Sequence, residues 1–181
     1  MSSVHRQLNY VRHFTLLLVM AVFLVLSSPW RAAPGPAAAF ALYGALHASA
    51  VAVSLRARPP LGRQMLLIGM AALLSFATAI LSLRAVPLVA ALHGLAGPLA
   101  VVCAASFLGA LAYGMLIRSL WVQELSIGAL ASTAAACVGA ACAGFFAGIH
   151  LQRLGSLWLA IPWWLAFSGS LWYHDGRGDS P

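Results

Sequence analysis

Residues 65–83 read MLLIGMAALLSFATAILSL. These nineteen consecutive positions carry no charged side chain, and Arg63 and Arg84 stand just outside them. A helix over this stretch is about 28 Å long at 1.5 Å per residue, close to the roughly 30 Å of bilayer hydrocarbon. A helix also satisfies its own backbone N–H and C=O groups, which lipid cannot do for it. The stretch therefore predicts a helix that crosses a membrane.

Five more apolar runs flank it, at about His13–Ser28, Ala37–Leu55, Pro87–Ile117, Ser126–Ile149 and Leu157–Tyr173. The whole chain of 181 residues is 62% hydrophobic and 7% charged. Soluble domains carry about 25% charged residues, so a water-soluble fold could not hide this much apolar surface. The expected fold class is an all-α integral membrane protein, a bundle of about six transmembrane helices with short connections. Residues 1–12 form an N-terminal segment, 13–173 one membrane-embedded bundle, and 174–181 a tail.

Breaks between runs carry turn chemistry. Pro29, Pro34, Gly35 and Pro36 follow the first. Arg56, Arg58, Pro59, Pro60, Gly62 and Arg63 follow the second, Arg84 and Pro87 end the third, Arg118 to Glu124 the fourth, and Gln152 to Gly155 the fifth. The run from Pro87 to Ile117 is too long for one upright helix and too short for two. Gly94, Gly97 and Pro98 predict a kink there, or a surface segment leading into a helix from about Gly97. Pro162 is expected to bend the sixth helix.

The chain has ten arginines, no lysine and a net charge of +7. The arginines are scattered singly between apolar runs and form no basic stripe, which excludes a nucleic-acid surface. With the N-terminus inside, Arg6, Arg12, Arg56, Arg58, Arg63, Arg118 and Arg177 are cytoplasmic, and Arg31, Arg84 and Arg153 are not. That bias places both termini in the cytoplasm of a cell inner membrane. Arginine without lysine fits a GC-rich, bacterial coding sequence. The first run reads as an uncleaved signal-anchor, because Ser27-Ser28-Pro29-Trp30-Arg31 offers no small-x-small cleavage site. Trp30, Trp158, Trp172 and Tyr173 fall at helix ends, at head-group level.

The acids are Glu124, Asp175 and Asp179, all outside the runs. Paired-carboxylate catalysis, H-E-x-x-H chemistry and transport coupled through a midplane acid are therefore disfavoured. There is no G-x-S-x-G and no phosphate loop, so no catalytic residue is assigned. Cys103, Cys137 and Cys142 lie inside apolar runs and read as packing residues.

Two uneven features remain. Gly128, Ser132, Ala136, Ala140, Gly144 and Gly148 recur at four-residue steps along the fifth run and are expected to share one face. Such a row lets a second backbone approach, within the bundle or from a partner membrane subunit or second copy. The other feature is His47, His93 and His150, which lie in or at the end of spans, while His5, His13 and His174 fall at or beyond helix ends. The plain expectation is interhelical hydrogen bonding. The alternative is ligation of haem b by His93 with His150 or by His47 with His93, beside Gly44, Ala48, Gly94, Gly97, Gly144 and Gly148. Metal passage with Met65, Met70 and Met115 is a further variant.

The expected function is a non-enzymatic membrane subunit or accessory protein. A small transporter or channel component is the first alternative, with Ser49, Ser54, Ser75, Thr78, Ser82, Ser106, Ser132 and Thr133 as its polar lining. A haem-binding electron-transfer subunit is the second. The partners are the lipid bilayer and, through the fifth helix, another membrane chain. Reporter fusions at the two termini should both report the cytoplasmic face, and opposite faces would overturn this topology.

Overall fold

The computed structural model describes residues 9–26, 36–55, 59–121, 125–150 and 157–175. The fold is all-α, in the order α1 (Tyr10–Leu26), α2 (Pro36–Ser54), α3 (Leu61–His93), α4 (Ala96–Trp121), α5 (Ile127–His150) and α6 (Leu157–Asp175). Four of these, α2 to α5, are long and apolar enough to cross a membrane. α1 is equally apolar but has 17 residues. α6 has 19, among them Trp158, Pro162, Trp163, Trp164, Trp172 and His174, which lower its hydropathy. Large apolar side chains such as Leu18, Leu73, Leu81, Leu108 and Ile127 are exposed on the outside of the bundle, as a lipid solvent allows.

From α2 onward, helices adjacent in sequence pack most extensively on each other, as short connections dictate. α1 lies against α2 and α6, and α6 also touches α2, so the last helix returns to the first two. Glycines set the closest approaches. A Cβ at Gly44 of α2 would collide with the Ser75 hydroxyl and lie 2.6 Å from the Ala71 carbonyl of α3. A Cβ at Gly144 of α5 would strike the Trp158 carbonyl of α6. Without water to drive apolar association, close backbone contact of this kind holds helices together.

The boundary between the third and fourth helices differs from expectation. α3 does not end at Arg84 or Pro87; it continues through Pro87 to His93 and is 33 residues long. Proline removes one donor and crowds one carbonyl, and a helix packed on neighbours in a membrane tolerates that. The turn is made instead by Gly94, whose φ of +56° lies in the left-handed region that glycine enters freely. Its N–H donates to the Ala90 carbonyl at 3.0 Å. Gly97 then lets α4 start directly against α3, since a Cβ there would lie 2.5 Å from the Val89 carbonyl oxygen. His93 therefore ends α3 and is not part of the fourth span. α6 likewise runs through Pro162.

The small-residue row of α5 does not lie on one face. A four-residue step overshoots a turn by about 40°, so five steps wind roughly 200° around the helix. Gly128, Ser132 and Ala136 are exposed, Ala140 and Gly148 half-buried, and Gly144 buried. The buried face is Ala129, Leu130, Thr133, Ala134, Cys137, Ala141 and Gly144.

Several expectations fall on residues outside those described. They are the N-terminal segment through residue 8, the turn residues Pro29, Pro34, Gly35, Arg56 and Arg58, the signal-anchor junction with Trp30 and Arg31, Glu124, Gln152–Gly155 with Arg153, and the tail from residue 176 with Arg177 and Asp179.

Cys103 of α4 and Cys142 of α5 have their Sγ atoms 3.3 Å apart, whereas Cys137 is buried without a thiol partner among the described residues. Mild copper–phenanthroline oxidation should join Cys103 to Cys142 with loss of two hydrogens, detected by peptide mass spectrometry. Cys103→Ser should abolish the linked peptide, and failure to link in the native chain would contradict this α4–α5 register.

Candidate functional site

The site begins in α2. Ala39, Ala48, Ala50 and Ala52 present little side chain, so neighbours approach closely and α2 is the most enclosed of the four spanning helices. His47, 1% exposed, sits on this helix. Its Nδ1 pairs with the Tyr113 hydroxyl of α4 at 3.1 Å, and its Nε2 with the Ser168 hydroxyl of α6 at 3.1 Å.

The Ser168 hydroxyl has a second imidazole partner, His13 Nε2 of α1, at 2.7 Å. His13 is fully buried, and its ring centroid is 5.9 Å from that of His47. Local structure explains the placement. The Asn9 side chain caps α1 by accepting from the Arg12 N–H at 3.3 Å, and the Asn9 N–H donates to the Ser54 carbonyl at 2.8 Å. The start of α1 is thereby tied to the end of α2, which sets the depth of His13. His13, Leu17 and Leu24 then form the buried stripe of α1.

Sequence reasoning missed His13 because it was counted as a helix-end residue. The signal was present: Asn9 as N-cap puts His13 a full turn inside, four residues before Leu17 on the same face.

Four side chains from four helices thus form one unbroken hydrogen-bonded chain, His13–Ser168–His47–Tyr113. His13 Nδ1 ends it, buried beside the Ala50 carbonyl and joined to no further side chain. Aromatic rings enclose the chain. Tyr113, Trp163, Trp164 and Phe167 have centroids 5.5, 6.0, 5.9 and 5.7 Å from His47. Trp163 stacks on Phe167 at 5.1 Å and 12°. Among the described residues the buried polar side chains, beside the hydroxyls of Tyr43 and Tyr113, are His13, His47, Ser54, Thr133 and Ser168, so no carboxylate or arginine shares this interior.

A cavity of about 420 Å³ lies between α2, α3, α4 and α6. It runs along Phe40 to His47 of α2, Ala71 to Pro87 of α3, Val102 to Tyr113 of α4 and Leu159 to Trp164 of α6. His47 and Tyr113 are its last residues toward the Ser54 end of α2, so they form its floor, and it extends from there toward the Gly94 turn. Its walls are mainly apolar, with the hydroxyls of Ser75, Thr78, Ser82 and Ser106 among them. These are four of the eight hydroxyl residues picked out by sequence. Thr78 also bonds back to the Leu74 carbonyl, as Ser49 and Ser54 do to Ala45 and Ala50, while Ser132 and Thr133 join α5 to α6 through His174 and Ser170.

His93 and His150 are exposed at the ends of α3 and α5, and neither is among the hydrogen-bond or ring partners of His47. An axial haem ligand must turn a free ring nitrogen toward the iron. Both nitrogens of His47 are engaged and four aromatic rings close in on it, so His47 does not fit as an axial ligand of a macrocycle. Among the described residues no group of three or more His, Cys, Asp or Glu could hold a metal ion. Met65, Met70 and Met115 are exposed on the outer surface.

Ser168→Ala should leave a buried imidazole nitrogen unpaired on each histidine and lower stability by about 1–3 kcal/mol. Thermal unfolding in detergent checks this against Ser119→Ala, an exposed serine for which a change within about 0.5 kcal/mol is expected. Equal stability of the two variants would contradict the chain. Comparison with known protein families, characterised proteins and solved structures found no match to this sequence or fold, so function must be read from the cavity and its hydrogen-bonded floor.

Proposed function

We propose that this chain is a multi-pass protein of a bacterial inner membrane, with both termini cytoplasmic, that admits a small, largely apolar solute into its own bundle. It acts as a small transporter or channel component. The observation that carries this reading is the cavity of about 420 Å³ with His47 and Tyr113 at its floor.

Protein interiors are close-packed, and voids larger than a water molecule are few because their linings forfeit dispersion contacts. A bundle that only docks onto a partner gains nothing from such a void. Sites for small molecules fall in the range of about 300–1,000 Å³ and combine apolar walls with a few placed polar groups. The floor and wall hydroxyls supply those groups without a formal charge. The solute they suit is neutral, mostly hydrocarbon, with one or two hydrogen-bonding atoms. A partner membrane subunit against the exposed Gly128, Ser132 and Ala136 of α5 is a second reading; it concerns a different surface and is compatible with the first.

Gly109 lines the cavity, and nothing lies within 4 Å of where its Cβ would stand. Gly109→Leu therefore places its Cβ in open space and narrows the cavity. With 4-bromophenol as probe, the native protein in detergent should show saturable quenching of Trp163 and Trp164 emission. Gly109→Leu should weaken the apparent affinity by about tenfold or more, a change of about 1.4 kcal/mol. Quenching that does not saturate, or is the same in both proteins, would overturn the proposal.

A further inference from the structure

We propose that the chain His13–Ser168–His47–Tyr113 is a proton wire connecting the cavity floor to the end of the bundle where α1 begins. The proposal rests on the solute-cavity reading only for where the proton is delivered.

Each member can accept on one atom and donate from another, and each contact is within hydrogen-bond distance: 2.7 Å from His13 to Ser168, 3.1 Å from Ser168 to His47, and 3.1 Å from His47 to Tyr113. The chain therefore has two neutral arrangements. In the first, His13 Nε2–H donates to Ser168, Ser168 O–H to His47 Nε2, and His47 Nδ1–H to the Tyr113 oxygen. The Tyr113 O–H is then free to donate into the cavity, and His13 Nδ1 is bare. In the second, every bond is reversed: Tyr113 donates to His47, His47 to Ser168, and Ser168 to His13. His13 Nδ1 then carries a proton beside the Ala50 carbonyl.

One concerted shift converts the first arrangement into the second. A proton enters at His13 Nδ1. The Nε2 proton of His13 passes to Ser168, that of Ser168 to His47 Nε2, and the Nδ1 proton of His47 to Tyr113. The Tyr113 proton leaves to an acceptor in the cavity. One proton enters, one leaves, and every member ends neutral. Rotation of the hydroxyls, and reorientation of each imidazole ring with its N–H attached, reset the wire without moving a further proton along it.

The two ends stand where such a wire needs them. Tyr113 and His47 line the cavity. His13 is one turn, about 6 Å along the axis, from Asn9, which is exposed at the head of α1. Its Nδ1 is buried beside the Ala50 carbonyl, bare in the first arrangement and able to donate to that carbonyl in the second. Among the described residues of the two core clusters that hold the chain, the other titratable groups are Tyr10 on α1, Tyr43 on α2 and Cys137 on α5; α4 and α6 contribute only the chain's own members and uncharged side chains, and α3 contributes none. Intramembrane proton paths commonly use acids, and here two imidazoles and two hydroxyls serve without a buried carboxylate.

The test uses the full chain in vesicles loaded with pyranine, with potassium and valinomycin holding the potential at zero, and an imposed pH step. The native protein should equilibrate the lumen faster than protein-free vesicles. His47→Gln and His13→Gln keep a donor and an acceptor, so they preserve hydrogen bonding, but an amide does not relay a proton. Both should fall to the protein-free rate with helix content unchanged by circular dichroism. Tyr113→Phe replaces either variant that fails to fold. Native protein no faster than empty vesicles, or a glutamine variant conducting like the native protein, would overturn the wire. Conduction that is lost in His47→Gln while 4-bromophenol fails to bind the native protein would retain the wire and remove the solute reading.

Discussion

A single hydroxyl oxygen ties the least securely packed helix, α1, to the rest of the bundle. Ser168 on α6 meets imidazoles from α1 and α2 at once, and in lipid no water molecule competes for those bonds. α1 touches only α2 and α6 to any extent. Its position depends on two anchors: the backbone bond from Asn9 to Ser54, and the side-chain bond from His13 to Ser168. The first sets how deep α1 sits and the second which way it is rotated. Without both, the hydrogen-bonded chain has no continuous path, because His13 is the only member from α1.

Close packing and open space are distributed unevenly around that chain. At Gly44, Gly97 and Gly144 the backbones of consecutive helices come so near that a methyl group would strike a carbonyl. At Gly109 the same residue type faces emptiness. The glycines at contacts supply the van der Waals cohesion that lipid does not supply, and the glycine in the cavity leaves room where cohesion has been given up. One residue type serves both purposes in this bundle, and only the rotation of each helix separates them.

That is also why the sequence disclosed some features and hid others. The helical class and most spans follow from hydropathy, a property that each segment carries alone. The end of α3 does not, because whether a helix survives Pro87 depends on what packs beside it, and the decisive turn residue was Gly94 rather than the proline. The row at four-residue steps on α5 misled for a purely geometric reason: 4.0 is not 3.6, and six members are enough to turn the row half around. His47 was legible as a buried histidine needing a partner. His13 was not, since its depth is set by Asn9. The cavity has no local signature at all, because four helices contribute walls that are far apart in the chain.

The 33 residues of α3 have a consequence for the membrane itself. The helix is about 50 Å long, against roughly 30 Å of hydrocarbon. Even at an ordinary tilt of about 20° it overruns the apolar layer by roughly 17 Å. The excess begins at Arg84 and ends at His93, both exposed, but the stretch between them is apolar: Leu88 is 70% exposed, and Leu95, just past the turn, is 59% exposed. The α3–α4 hairpin is thus a greasy finger at head-group level, where it favours a locally thickened leaflet. Hydrophobic mismatch of this kind costs fractions of a kcal/mol per Å and partitions proteins between thin and thick bilayers. By that measure the chain is matched to the thicker end of the range, with lipid drawn up around the mouth of its own cavity.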